Sequence, residues 1–287
     1  MENYSDIKQS EKGAWLSLIA YILLSAIKLF IGNVSGSQAL LADGLNNSTD
    51  IIASIAILIG LKISRRPPDS NHSYGHFRAE TVAALIASFI MIAVGIQVLY
   101  QGVDKFIQPA LETPDLIAAW TAAGCAAVMI AVYLYNIRLA RALHSNAMQA
   151  VAQDNRSDAM VSMGAFIGII GSQFGLPWLD PVTAVIVGLL ICKTAIQIFS
   201  KATHDLTDGF DAGELELMKQ TVAEIEGVES IKDIKARVHG NNVLVDTTVL
   251  VDSRLNVVQS HDITEEIEDQ LKGRHQVADV LVHIEPV

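Results

Sequence analysis

Cysteine is almost missing from this chain: there are two in 287 residues, Cys125 and Cys192, each inside an apolar stretch. That excludes a disulfide framework, and cysteine-rich zinc binding with it. Positive charge is also scarce. Lys+Arg number 20 against 31 Asp+Glu, a net charge of −11, and no segment is basic enough for nucleic acid. The opening residues lack the basic start and small-residue cleavage site of a signal peptide, so the first apolar stretch is expected to be retained. No Gly-x-x-x-x-Gly-Lys-Ser/Thr loop is present to cradle a nucleotide, and no His-Glu-x-x-His to activate water on a metal.

Apolar sequence is what the chain has in quantity. Hydrophobic residues make up 51% and the mean hydropathy is +0.37, unusual for a soluble domain of this length. The charge is unevenly spread. Residues 1–204 carry 13 Lys+Arg and 13 Asp+Glu, whereas 205–287 carry 7 and 18. A neutral membrane domain (1–204) followed by an acidic soluble domain (205–287) is therefore expected.

Six stretches are long enough, at 1.5 Å per residue, to cross a hydrocarbon core of about 30 Å. They lie near Ala14–Gly32, Gln38–Ile63, Ala79–Val103, Leu116–Ile137, Ala147–Phe174 and Trp178–Ser200. Each must be helical, because lipid cannot satisfy an open backbone. One set of flanks holds Lys8, Lys12, Lys62, Arg65, Arg66, Arg78, Arg138, Arg141 and Lys201; the opposite set holds only Lys105. That asymmetry puts both termini in the cytoplasm. Lys28 lies near the outer end of the first span and Lys193 in the inner half of the sixth, and both read as snorkelling interface anchors.

Ionisable residues within spans are costly and mark a transport path or a buried pair. The second span contains Asn46 and Asp50, and the fifth Asp154 and Asp158. In each pair the residues are four apart, so they stack on one helix face. Two such faces turned together would gather one amide oxygen and three carboxylates, a cage for a hard cation. Helix caps or span ends are the blander reading, but they do not explain the repeated spacing. Asp43, a turn before Asn46, is either a supporting residue or part of an ion route. Residues 205–287 read as helix (211–226), strand (228–238), strand (243–251), helix (256–272) and strand (278–285). The alternation of Thr247, Val249 and Val251 with Asp246, Thr248 and Leu250 points to a sheet covered on one face.

With these residues in view, the chain resembles the cation diffusion facilitator family, and within it the bacterial manganese-exporting branch. The resemblance runs nearly end to end. It rests on Ala39-Leu-Leu-Ala-Asp-Gly-Leu-Asn-Asn-Ser-Thr-Asp50, Asn71-His-Ser-Tyr-Gly-His-Phe-Arg-Ala-Glu80, Asp154-Asn-Arg-Ser-Asp158 and a C-terminal domain ending His283-Ile-Glu-Pro286. It implies six transmembrane helices plus a cytoplasmic ferredoxin-like αββαβ domain, a homodimer in the bacterial cytoplasmic membrane, and exchange of metal for protons at Asn46, Asp50, Asp154 and Asp158. Zinc-transporting relatives carry His at the position of Asp154. An all-oxygen set withholds the nitrogen that zinc prefers, so Mn²⁺ is the expected substrate, with Zn²⁺, Fe²⁺ and Cd²⁺ as alternatives.

The same resemblance suggests a cytoplasmic loop site at Asp69, His72 and His76, and a charge pair between Arg78 and Asp208. It also suggests a C-terminal metal site at His261, His283 and Glu285. Two other ligand positions of that last pattern are Lys232 and Thr248 here, which puts it in doubt; a single site using Asp246 is the alternative. No prosthetic group is expected, and the partners are lipid, divalent ions, protons and a second copy of the chain. A membrane-anchored metal sensor and a membrane metallohydrolase are the rival classes, which metal flux in sealed vesicles separates.

Overall fold

The computed structural model describes residues 4–108, 113–143, 146–240, 242–275 and 277–287. Six long helices come first: α1 (Tyr4–Ser35), α2 (Gln38–Ser64), α3 (Ala79–Ile107), α4 (Leu116–Leu143), α5 (Asn146–Gln173) and α6 (Leu179–Leu206). Then follow α7 (Ala212–Ala223), β1 (Ser230–His239), β2 (Asn242–Val251), α8 (Val257–His275) and β3 (Asp279–Pro286). The chain forms two compact units, Met1–Ile55 with Ala87–Gln197, and Ala56–Ile86 with Ile198–Val287.

By length and composition, five helices among the described residues can cross a membrane: Trp15–Ser35 of α1, then α2, α3, Leu116–Ala142 of α4, and α6. The remaining sequence-expected span is α5, equally long at 28 residues but interrupted by Asp154, Asn155, Arg156 and Asp158. Those residues lower its apolarity below that of its neighbours. Outward-facing side chains such as Trp15, Phe30, Phe89, Ile96, Trp120 and Leu189 are large, apolar and exposed, as lipid contact requires.

Within the first unit, small residues let the helices approach closely. Ala39, Leu40, Ala118, Ala119, Ala122 and Ala165 are fully buried where α2, α4 and α5 meet. Gly95 and Gly102 lie two turns apart on α3. A Cβ at Gly95 would sit 2.5 Å from Cys192 Sγ, and one at Gly102 2.8 Å from Val185 Cγ2, so α3 and α6 pack as they do because these residues have no side chain. The start of α2 is held from α6. Asp180 accepts from Ser37 Oγ (2.6 Å) and from the backbone N–H of Gln38 (2.7 Å), a carboxylate at a helix N-terminus.

In the second unit the sheet order is β1-β2-β3, with β1 and β2 antiparallel and β2 and β3 parallel. The parallel pair needs a crossover, and α8 supplies it. On the central strand Val245, Thr247, Val249 and Val251 are buried, and they alternate with less buried residues. They pack against Met218 and Val222 of α7 and Ile267 and Leu271 of α8. Each buried aliphatic side chain stabilises the fold by about 1.5–3 kcal/mol. Asp211, expected to open α7, is its N-cap, accepting from the N–H groups of Gly213 and Glu214.

Candidate metal centre

The residue spacing that singled out α2 and α5 brings their polar faces together. Asn46 Nδ2 donates to Asp158 Oδ1 at 3.0 Å, across 112 residues of sequence. Asp158 is buried, and the Tyr21 hydroxyl of α1 also hydrogen-bonds its carboxylate. Asp50 lies within electrostatic range of Asp158 and Asp154. Its Oδ2 is buried with no hydrogen-bond donor among the described residues. A buried carboxylate oxygen without a partner is costly, and a cation is the natural one. Asp154, a turn towards the start of α5, is exposed.

So Asn46, Asp50 and Asp158 gather while Asp154 stands at the margin. The three carboxylates are not drawn into a tight ligand set. Ligation by Asn46 would also need its amide turned, because its nitrogen faces Asp158 here.

A buried polar network holds α5 in place. Asn155 Oδ1 accepts from Ser17 Oγ (2.9 Å) and Asn136 Nδ2 (2.9 Å), and Asn155 Nδ2 donates to Tyr21 Oη (2.9 Å). This ties α1, α4 and α5 together one residue from Asp154. Sequence reasoning missed it, since lone Ser and Asn residues in a span carry no spacing signal.

Lys28 corrects an expectation. Rather than snorkelling, it is fully buried, and its Nζ donates to Asp43 Oδ1 (2.8 Å), Asn47 Oδ1 (2.6 Å) and Ser162 Oγ (2.9 Å). All three ammonium protons are used. Asp43 thus has its own counter-charge.

The loop before α3 forms the tightest candidate ligand group. Asp69, His72 and His76 are the only cluster of three or more His, Cys, Asp or Glu among the described residues whose ligand atoms lie within 4.8 Å of one another. His72 Nδ1 is 3.1 Å from Asp69 Oδ1, and His76 Nε2 is 3.5 Å from Asp69 Oδ2. The backbone N–H groups of Asn71 and His72 donate to Asp69 and hold its carboxyl below the usual carboxylate range. A carboxylate with two imidazoles suits a borderline divalent ion.

Comparison with known proteins agrees with this architecture. Residues 14–207 match the cation efflux transmembrane domain, and residues 211–287 the cytoplasmic domain of cation efflux proteins. The chain belongs to the cation efflux family. Among relatives, the manganese efflux system protein MneS of Bacillus subtilis (strain 168) is 56% identical, covering 100% of this chain and 99% of its own. The uncharacterized transporter YdbO of the same organism is 54% identical (100% and 99%), and its manganese efflux system protein MneP is 32% identical (96% and 96%).

In this cation efflux protein the C-terminal candidates are not gathered within one chain. His283 Nε2 lies 3.8 Å from Glu285 Oε1 on β3, but His261 is on α8, 3.4 Å from Glu265. Both Glu285 oxygens accept from Lys232 Nζ (2.8 and 2.6 Å), which lowers the carboxyl pKa. Asp246, the alternative ligand, is engaged by Arg237 at 3.2 Å. At this position a lysine stands where a cation would otherwise bind, and the carboxylate is already satisfied.

Arg78 Nη2 contacts Asp208 Oδ1 just past the end of α6, where Asp208 adopts φ 60°, a left-handed conformation Asp tolerates. Arg78→Asp is expected to reduce metal flux several-fold by setting two carboxylates against each other. Adding Asp208→Arg should recover part of it. Full recovery is not expected, since arginine at this φ is strained by about 1–3 kcal/mol. Flux in vesicles for the two variants, both verified as folded, checks this. A double variant no better than the single one means the pair has no functional role.

Proposed function

We propose that this protein exports Mn²⁺ from the cytoplasm in exchange for protons, by alternating access to a site built from Asn46, Asp50, Asp154 and Asp158. The observation that carries the reading is the cluster between α2 and α5 in which buried Asp158 accepts from half-buried Asn46, beside the buried Oδ2 of half-buried Asp50. Manganese is among the weakest binders of the first-row divalent ions, so a selective site has to withhold what zinc favours. Tetrahedral nitrogen or sulfur ligation is what zinc favours, and none is offered here. The names of two relatives, the manganese efflux system proteins MneS and MneP, support the same substrate.

Moving positive charge out against an inside-negative potential costs about 2.3 kcal/mol per charge per 100 mV, about 4.6 kcal/mol for a divalent ion. Proton exchange at the same carboxylates supplies the drive: each is deprotonated to bind metal facing inward and can take a proton once the metal leaves. The working unit is a homodimer in the bacterial cytoplasmic membrane with both termini in the cytoplasm. Residues 1–204 form its transport domain and 205–287 its dimerisation domain. Asp69, His72 and His76 form a secondary cytoplasmic site that can take zinc or other divalent ions, and Arg78 with Asp208 ties α3 to the linker.

The test is initial Mn²⁺ and Zn²⁺ flux in proteoliposomes under an imposed pH gradient. Manganese flux that collapses when the gradient is removed, and exceeds zinc flux, is the expected result. Gradient-independent flux would overturn the exchange mechanism, and a preference for zinc would overturn the substrate.

A further inference from the structure

On α2, Asp43, Asn46, Asn47 and Asp50 fall at helical positions that form one stripe; on α5, Asp154, Asp158 and Ser162 form another. The candidate metal site uses only part of each stripe. Both continue towards the ends of the helices opposite the Lys- and Arg-rich flanks, which the charge asymmetry places outside the cell. There Lys28 closes them. Its ammonium is fully buried and draws together Asp43 and Asn47 of α2 and Ser162 of α5. Beside it, Asp43 Oδ2 and Asn47 Nδ2 are buried without a hydrogen-bond partner among the described residues, so the region is polar beyond what the clamp itself satisfies. At the opposite end of the site, Asp154 is exposed.

We propose that Lys28 is the outer gate of the ion path. An ion passing outward from Asp50 and Asp158 along these stripes meets the oxygens of Asn47, Asp43 and Ser162 next. In this state a fixed positive charge holds all three and repels a second cation. The same contacts join α2 to α5, the two helices that supply the metal ligands. Outward release therefore requires Lys28 to let go of Ser162, the one clamp partner on α5. An ammonium suits a gate because it occupies cation-binding oxygens without being a transportable ion. Lys28 acts as a positioning residue, through helices that carry ligands rather than by touching metal. The inference rests on the proposed transport site and on the orientation of the spans.

The gate predicts slippage when it is weakened, which a merely structural lysine does not. Ser162→Ala removes the α5 contact with little change of shape, and Lys28→Met with Asp43→Asn removes both buried charges together. Each variant is reconstituted as the full-length dimer, with a metal-sensitive and a pH-sensitive dye inside the vesicles. Downhill Mn²⁺ flux is expected to persist well above that of empty vesicles, while protons moved per Mn²⁺ fall several-fold. Accumulation driven by a pH gradient should drop about ten-fold, as suits loss of a hydrogen bond to a charged group. An unchanged proton-to-metal ratio in the folded variants overturns the gate. So does a loss of flux at constant ratio, which marks Lys28 as structural only. If the double variant does not fold, Ser162→Ala alone decides. Asp158→Ala is measured alongside: wild-type flux there refutes the transport site itself, whatever the gate variants do.

Discussion

Asp158→Ala and Asp50→Ala are each expected to lower Mn²⁺ flux to the level of empty vesicles, while a folded dimer remains. Asp158 is the residue on which Asn46 and Tyr21 both converge, and Asp50 carries the buried oxygen without a donor. In the proposed mechanism, removing either takes away a ligand charge and a proton carrier together. Loss of outer-layer partners alone weakens metal sites by roughly 10–100-fold, so loss of a direct ligand should exceed about 100-fold. Folding should survive. Asp158→Ala leaves the Asn46 amide short of one acceptor, about 1–3 kcal/mol, but it also removes a charge from an apolar interior. Flux is read with a metal-sensitive dye and the dimer by size-exclusion in detergent. Either variant transporting like wild type would show that the cluster between α2 and α5 is not the site.

The second large effect concerns which metal is carried. Asp154→His offers an imidazole at the margin of the cluster and removes one negative charge. Both changes favour zinc over manganese. The ratio of zinc to manganese flux is expected to rise about ten-fold, equivalent to about 1.4 kcal/mol of differential stabilisation. The ratio is the informative quantity, because absolute rates can fall for steric reasons. Asp154 is exposed and outside the buried cluster in this conformation, so the substitution also asks whether it joins the ion during the cycle. An unchanged ratio in a folded variant would shift attention to Asp69, His72 and His76 as the selective element.

Those three residues illustrate what a sequence can and cannot disclose. Asp69, His72 and His76 were nominated by the family resemblance, and because they lie within eight positions one loop brings them together. The strand β2 was equally readable, because alternation of buried and exposed residues is a property of the strand itself. Asn46 and Asp158 needed two helices to face each other, and the repeated i, i+4 pattern suggested it. Lys28 failed for the opposite reason. Its depth in the span was evident, but its partners lie on two other helices, and a residue near a span end reads equally well as an anchor. His261 was nominated by the resemblance, and in the structure it pairs with Glu265 of its own helix while His283 lies near Glu285 on β3. The strand limits moved by a residue or two, β1 starting at Ser230 rather than at Val228, where Gly227 (φ 94°) turns the chain.

The polar interruption of α5 has a bearing on how the chain enters the bilayer during synthesis. At the centre of a span, Asp and Arg each oppose insertion by about 2.5–3.5 kcal/mol, and α5 carries Asp154, Arg156 and Asp158 within five positions. On its own it is a poor candidate for leaving the translocon sideways into lipid. Its predecessor α4 is apolar, and Asn136 of α4 bonds to Asn155 of α5 at 2.9 Å. The two helices are therefore suited to entering lipid as a hairpin, the apolar partner carrying the polar one. The tyrosine and serine of α1 that complete Asn155's bonding are made earlier and stand ready to receive it. The residues proposed to hold the metal ion thus also favour a fifth span that is assembled rather than simply inserted.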